Sequence, residues 1–254
     1  MIRKSWISGG AFAVGVSLLA ACETAPLTGR NQLILLPESQ SQAMGVDAYQ
    51  EIKSKTPTSN DPRYTGPVNE IGQRIAAIST QPGLDWEFTV FEDETPNAFA
   101  LPGGKVGVHT GLFKVAKNKD QLAAVMAHEV GHVMARHSSE RMSTQMATQL
   151  GVQLGGAVVG QEYAGFLGQA ATLGVVLPYS RVQESEADEI GLIMMAKAGY
   201  DPRAAVALWR NFAAEGGSRQ PEFLSTHPLP ETRIKDIEAA LPRAMPYYES
   251  SPYR

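Results

Sequence analysis

The order of apolar and polar positions divides the chain into a short apolar leader, a mixed strand-and-helix stretch and a long helical run. Arg3 and Lys4 precede an apolar segment from Ala11 to Ala21, which is too short to cross a bilayer core of roughly 30 Å. A positive start before such a segment predicts a removable export leader over residues 1–21. From Glu23 onward polar residues give way to apolar ones, the pattern of a tether (22–37) that gains order toward its end. Ser39 predicts a helix start, with Ala43, Met44, Val46, Ala48 and Tyr49 on one face. The stretch from Thr56 to Gly66 carries two prolines, Ser-Asn and Asp-Pro and predicts a loop, and a second helix follows from Val68 to Ile78.

Trp86 to Phe91 alternates in part and predicts a strand. Asn97 to Leu101 runs into Pro102-Gly103-Gly104, and Val106 and Val108 follow with period two, so a small sheet with a turn at the glycines is expected. Asp120 predicts the cap of a helix from Gln121 to about His137. Gly151 to Pro178 is rich in Gly, Ala, Val and Leu but broken by Glu162 and several Gln, the pattern of buried core helices. Three more helices are expected: Val182 to Ala198 ending at Gly199, from Asp201-Pro202 to Phe212, and Glu231 to Ala240, with Gly216-Gly217-Ser218 as a loop. The fold class is α+β and mostly helical, one domain over 38–245 with a C-terminal tail at 246–254.

Composition narrows this picture. A chain of 254 residues with 43% apolar and 19% charged residues has material for one sizeable core. The net charge of -4 and the lack of any Lys/Arg run argue against nucleic acid as a partner. The chain has 1 Cys, so no intramolecular disulfide can form. That residue, Cys22, follows Leu19-Ala20-Ala21, and small residues before a Cys resemble the bacterial lipobox. The resemblance implies cleavage before Cys22, a diacylglycerol on its thiol, and a mature chain held at a membrane by lipid with no transmembrane helix. Glu23, where Asp would favour retention in the inner membrane, implies the outer membrane, with the folded domain in the periplasm.

The chemistry is concentrated in His128-Glu129-Val130-Gly131-His132. On a helix, positions i and i+4 differ by about 40° in azimuth, so the two imidazoles can share one tetrahedral metal. Glu129 lies about 100° from His128, near enough to take a proton from a water at that metal without being a ligand. The motif sits in an apolar stretch, Leu122 to Ala127, where ionisable groups are costly without partners. On an unbroken helix His137 would fall about 180° from His128, so it is read as a capping or structural group. A third ligand must come from elsewhere, and Glu184, Glu186 and Asp188 form the acidic cluster available. Helical geometry alone leaves Glu184 and Glu186 both open.

HEVGH followed by Glu184-Ser185-Glu186-Ala187-Asp188 resembles the M48 family of metallopeptidases, the type of HtpX and the CAAX prenyl proteases, within the gluzincins. Asn97 to Gly104, the Ser180-Arg181 pair, and Ser225-Thr226-His227-Pro228 with Arg233 match the family's other segments. The resemblance implies a HExxH zincin-type peptidase domain with a small sheet beside the metal helix and one Zn2+ per chain. His128, His132 and Glu184 would be its ligands and Glu129 its catalytic base. It implies that Asp188 orients a ligand imidazole; Glu186 points to another side of its helix and is read as solvated. His227 would stabilise an oxyanion or occupy the open metal position at rest, with Arg233 as its companion. The strand Asn97, Ala98, Phe99 and Ala100 would pair with an extended substrate. The activity so implied is endopeptidase cleavage of unfolded or misassembled envelope proteins. The competing reading is a non-catalytic, chaperone-like lipoprotein with a structural zinc; Glu129 speaks against it, since a structural site needs no general base.

Overall fold

The computed structural model describes residues 22–25, 28–155, 179–215, 222–228 and 232–254. The expected leader, most of the Gly151–Pro178 stretch and the Gly216–Ser218 loop lie outside these residues. Among the described residues no helix is long and apolar enough to cross a membrane.

Strands β1 (Cys22–Thr24) and β2 (Asn31–Leu33) pair antiparallel, Cys22 opposite Leu33. The segment read as a tether is therefore structured almost from its start, and Gln32, Ile34 and Leu36 are buried. Helix α1 (Glu38–Lys55) starts after Pro37, one residue before the expected Ser39 cap. Its buried face is Ser41, Gly45, Ala48 and Tyr49, and Ala43, expected on that face, is exposed. Gly45 lies against the Pro102 carbonyl, where a Cβ would collide. Helix α2 (Pro62–Ile78) begins inside the expected loop. The reason is local: Asp61 Oδ1 accepts the Arg63 amide at 2.9 Å, and Pro62 takes the first helical position, where its missing N–H costs nothing.

Strands β3 (Glu87–Phe91), β4 (Ala98–Leu101) and β5 (Lys105–His109) form a sheet in the order β3-β5-β4. β4 and β5 are an antiparallel hairpin turning at Gly103 and Gly104, with φ of 86° and 77°, and β3 runs parallel to β5. This leaves β4 as an edge strand of the sheet.

After a 3-10 turn (Thr110–Lys114), α3 (Lys119–Met134) is capped by Asn118, whose Oδ1 accepts the Gln121 amide at 2.9 Å; Asp120, the expected cap, lies inside the helix. The helix stops at Ala135 because Arg136 adopts φ +55°, and α4 (His137–Gly155) starts afresh at His137. The expectation of one helix to His137 is thus corrected. Helix α5 (Arg181–Lys197) opens with a capping box between Ser180 and Gln183 and closes at Gly199, φ +84°. Helices α6 (Ala204–Glu215), α7 (Glu222–Thr226) and α8 (Arg233–Glu249) complete the chain. α8 runs on beyond Ala240 through Pro242 and Pro246, so the segment expected as a tail starts inside it. Packing explains the difference: Arg233, Ile237, Ala240 and Ala244 form a buried stripe that holds the helix despite its prolines.

The architecture is mostly helical with small sheets, as expected from the sequence. α3 lies at its centre, buried almost all round between the sheet, α5 and α6. Two glycines set how closely α3 and α5 approach. A Cβ at Gly131 would sit 2.9 Å from the Ala187 carbonyl oxygen, and one at Gly191 would sit 3.0 Å from the His128 nitrogen. That proximity lets side chains of the two helices meet.

Candidate metal centre

His128 and His132 project from one face of α3 toward Glu184 in the first turn of α5. His227, just after α7, completes the group, and one ligand-type atom from each of the four lies within 4.8 Å of the others. His128 Nε2 is 3.1 Å from His132 Nε2 and 3.6 Å from Glu184 Oε2. His132 Nε2 is 3.3 Å from Glu184 Oε1. His227 Nδ1 is 3.2 Å from His128 Nε2 and 3.0 Å from Glu184 Oε1. Donor atoms at 2.0–2.1 Å from a tetrahedral zinc stand about 3.3 Å apart, so the spacing fits such an ion. All four residues are at most 3% exposed, and a buried imidazole pair facing a carboxylate and a third imidazole is the donor set of a borderline metal.

Each of the two α3 histidines has its second ring nitrogen engaged. His128 Nδ1 lies 2.9 Å from Asp188 Oδ1. Asp188 is gripped by the fork of Arg233, Nε to Oδ2 at 2.8 Å and the other arm to Oδ1 at 2.9 Å. The same guanidinium donates to Glu184 Oε2 at 2.5 Å and lies 3.5 Å from the centroid of the Trp209 ring. His132 Nδ1 lies 2.8 Å from His137 Nδ1, and His137 Nε2 lies 3.0 Å from Glu186 Oε2. Two expectations are corrected here. Glu186 is only 5% exposed, not solvated, and it bonds Arg30 and Thr28 of the N-terminal hairpin. His137, set by azimuth on the far side of the helix, is brought against His132 by the break at Arg136.

Glu129 is 1% exposed, and its Oε1 makes no hydrogen bond, although His227 Nε2 stands 3.3 Å away. Tyr179 stacks on His132 with 3.8 Å between centroids, and Phe223 stacks on His227 at 4.4 Å. Tyr179, Trp209 and Phe223 wall the imidazoles with aromatic rings, which the sequence reading did not anticipate. In β4, Ala98 and Ala100 face the interior, and Phe99 sits in a cluster with Tyr49, Phe91 and His109. The Asn97 carbonyl accepts the His109 amide at 3.0 Å.

The electrostatics follow from burial and pairing. Burial raises Glu129 above the usual carboxylate range, and His227, His128 and the Ala100 amide oppose it only in part. Burial would also raise Glu184 and Asp188. For Glu184, His227, His132 and Arg233 reverse the sign and hold it far below that range; for Asp188, Arg233 and His128 do so. Burial lowers His132 well below the ordinary imidazole value and lowers His137; burial would lower His128 too, but the Asp188 bond and the charges of Asp188 and Glu184 together raise it. Around one point, then, lie an ionised Glu184, a neutral His132 and, in Glu129, a carboxylate with raised basicity.

A helix-borne HExxH, a glutamate from the next packed helix and a buried carboxylate beside them are the arrangement expected of a metallopeptidase site. The family comparison agrees: the model of Peptidase family M48 matches residues 62–241. The mitochondrial metalloendopeptidase OMA1 of Schizosaccharomyces pombe is 40% identical over 256 residues, 98% of this chain and 75% of that protein. The beta-barrel assembly-enhancing protease of Escherichia coli K12 is 31% identical over 227 residues, 85% of this chain and 47% of that protein. Its counterpart in Yersinia pestis is 32% identical over 256 residues, 96% of this chain and 52% of that protein. The chain thus spans about half the length of these bacterial relatives and three quarters of the yeast one. It belongs to peptidase family M48 and is a metalloendopeptidase.

Proposed function

We propose that the chain is a zinc-dependent endopeptidase that cleaves unfolded or misassembled proteins of the bacterial envelope. In this proposal Cys22 carries a lipid that holds the protein to the outer membrane, with the peptidase domain in the periplasm. His128, His132 and Glu184 hold the ion, and Asp188 fixes the His128 ring. The single observation that carries the reading is Glu129, a buried carboxylate whose Oε1 makes no hydrogen bond beside the four-residue donor set. A zinc ion there would supply Lewis acidity, acidifying a water and polarising the scissile carbonyl.

Glu129 takes the proton from the attacking water and returns it to the leaving amine, and its raised basicity suits both steps. His227 reaches both Glu129 and the donor set. It completes the set at rest and, displaced by substrate, donates to the oxyanion that develops on the scissile carbonyl. The edge of β4, from Asn97 to Ala100, pairs with the main chain of an extended peptide, which folded proteins rarely offer. The names of the bacterial relatives, which mention beta-barrel assembly, support the envelope as the source of substrates.

The test uses the whole chain in detergent with a permanently unfolded protein as substrate. Wild type should contain one zinc per chain and cleave. Glu129→Gln should keep the zinc and lose about 100-fold or more of the rate. Glu184→Ala should lose the zinc. Full zinc occupancy with no cleavage by wild type, even at high substrate concentration, would favour the non-catalytic reading.

A further inference from the structure

The established pattern of this family accounts for the metal side of His132 but not for what stands behind it. There, three side chains form a buried line that ends in the N-terminal hairpin: His132 to His137 at 2.8 Å, His137 to Glu186 at 3.0 Å, and Glu186 to Arg30 at 2.7 Å. The side chain of His137 is fully buried and those of His132 and Glu186 are 1% and 4% exposed, so bulk water cannot substitute for the contacts among these three.

Proton bookkeeping along this line has one solution for neutral rings. The Glu186 carboxylate only accepts, so His137 Nε2 must carry the proton. Its Nδ1 is then a bare lone pair, and His132 Nδ1 must donate to it. That leaves His132 Nε2 with its lone pair toward Glu184 and His128, the only arrangement in which it can bind a cation. The opposite tautomer of His132 would put an N–H among the ligand atoms and leave two ring lone pairs facing each other at 2.8 Å.

We propose that Glu186 and His137 are positioning residues that set the tautomer and orientation of the metal ligand His132. Arg30 and the β1–β2 hairpin hold the far end of the relay. Arg30 is itself fixed by a two-armed pair with Glu140, at 2.6 and 2.7 Å, and Gln32 donates to the Ala135 carbonyl at the helix break, at 2.6 Å. The chain that follows Cys22 is thereby a structural part of the metal site. The proposal rests on the metal-centre reading above, and the controls below keep the two apart.

The test is zinc affinity measured by chelator competition on the whole chain, without reference to activity. His137→Phe should weaken zinc binding about 10- to 100-fold and Glu186→Gln about tenfold, the range seen when outer partners of ligand histidines are removed. Arg30→Met should weaken it less, by a few-fold. His128→Ala and Glu184→Ala are controls. If they bind zinc like wild type, the metal-centre reading fails. If they lose zinc while His137→Phe and Glu186→Gln stay within twofold of wild type, the relay alone fails.

Because a substitution at the fully buried His137 can unfold the chain, a second measurement uses wild type. With 5 His in the chain, nitrogen-15 spectra of its imidazoles should resolve each ring. The relay requires zinc-loaded His132 protonated on Nδ1 and His137 protonated on Nε2. A His137 protonated on Nδ1 would overturn it.

Discussion

His128 and His132 sit one turn apart on α3, yet they are supported from opposite ends of the chain. Behind His128 stand Asp188 and Arg233, a pair at the contact of α5 with the start of α8, closed by the Trp209 ring. Behind His132 stand His137, Glu186 and Arg30, which lead outward to the N-terminal hairpin. The first support is deep: the Arg233 side chain is 3% exposed, whereas that of Arg30 is 25% exposed. The difference teaches that one candidate metal site can be built on a buried ion network on one side and on a more peripheral segment on the other.

The largest expected effect comes from breaking the deep side. Arg233→Met removes the guanidinium that bonds both Glu184 and Asp188 and leaves two buried carboxylates with imidazole partners alone. Breaking a buried pair in this way costs about 3–5 kcal/mol. Urea unfolding with a chelator present, so that lost metal does not contribute, should show it. Arg30→Met removes a partner that water can partly replace and should cost about 1 kcal/mol in the same assay. Equal losses would erase the contrast between the two supports.

A second experiment asks whether the supports are independent. Asp188→Asn should weaken zinc binding about 10- to 100-fold and Glu186→Gln about tenfold. If each ring is oriented by its own partners alone, the double variant loses the product of the two factors. A smaller combined loss would mean that the two imidazoles, 3.1 Å apart at Nε2, settle as one unit.

The two sides were unequally legible in the sequence. The spacing of His128, Glu129 and His132 on one helix gave the first three members, because azimuth is a local property. The likeness to the M48 pattern was needed for Glu184, Asp188 and Arg233, which come from other elements. On the His132 side the reading failed at two points. His137 was set on the far face of an unbroken helix, but Arg136 takes a left-handed φ of +55°, where neither Gly nor Asn marked a stop. Glu186 was rightly turned away from the Glu184 face, and that other face was taken as solvent. The residues that cover it, Thr28 and Arg30, are some 150 positions earlier in a stretch read as tether. Helix limits went astray for related reasons. Pro62 fell in a stretch read as loop and the last helix was ended at Ala240, before Pro242 and Pro246; a first-turn position and a buried packing stripe accommodate these prolines.

The smallest effect probes the outer end of the hairpin support through pH. Burial would raise Glu140, but Arg30 and Gln183 hold its carboxyl below the ordinary value of 4.5. A group whose folded pKa is depressed stabilises the fold above its unfolded pKa, and that contribution is lost as pH falls through the folded value. Wild type should therefore exceed Glu140→Gln in stability by about 1 kcal/mol at pH 7, with the gap constant down to about pH 5. Below pH 4.5 the gap should narrow, as protonation turns the wild-type carboxylate into a neutral group like the amide. The gap should also shrink with added salt, since the Arg30 side of the pair reaches solvent. A gap that widens in acid would mean that protonated Glu140 is the form the hairpin prefers. The Arg30–Glu140 ion pair at the turn end of β1–β2 would then not be what fastens that segment to the His132 side of the site.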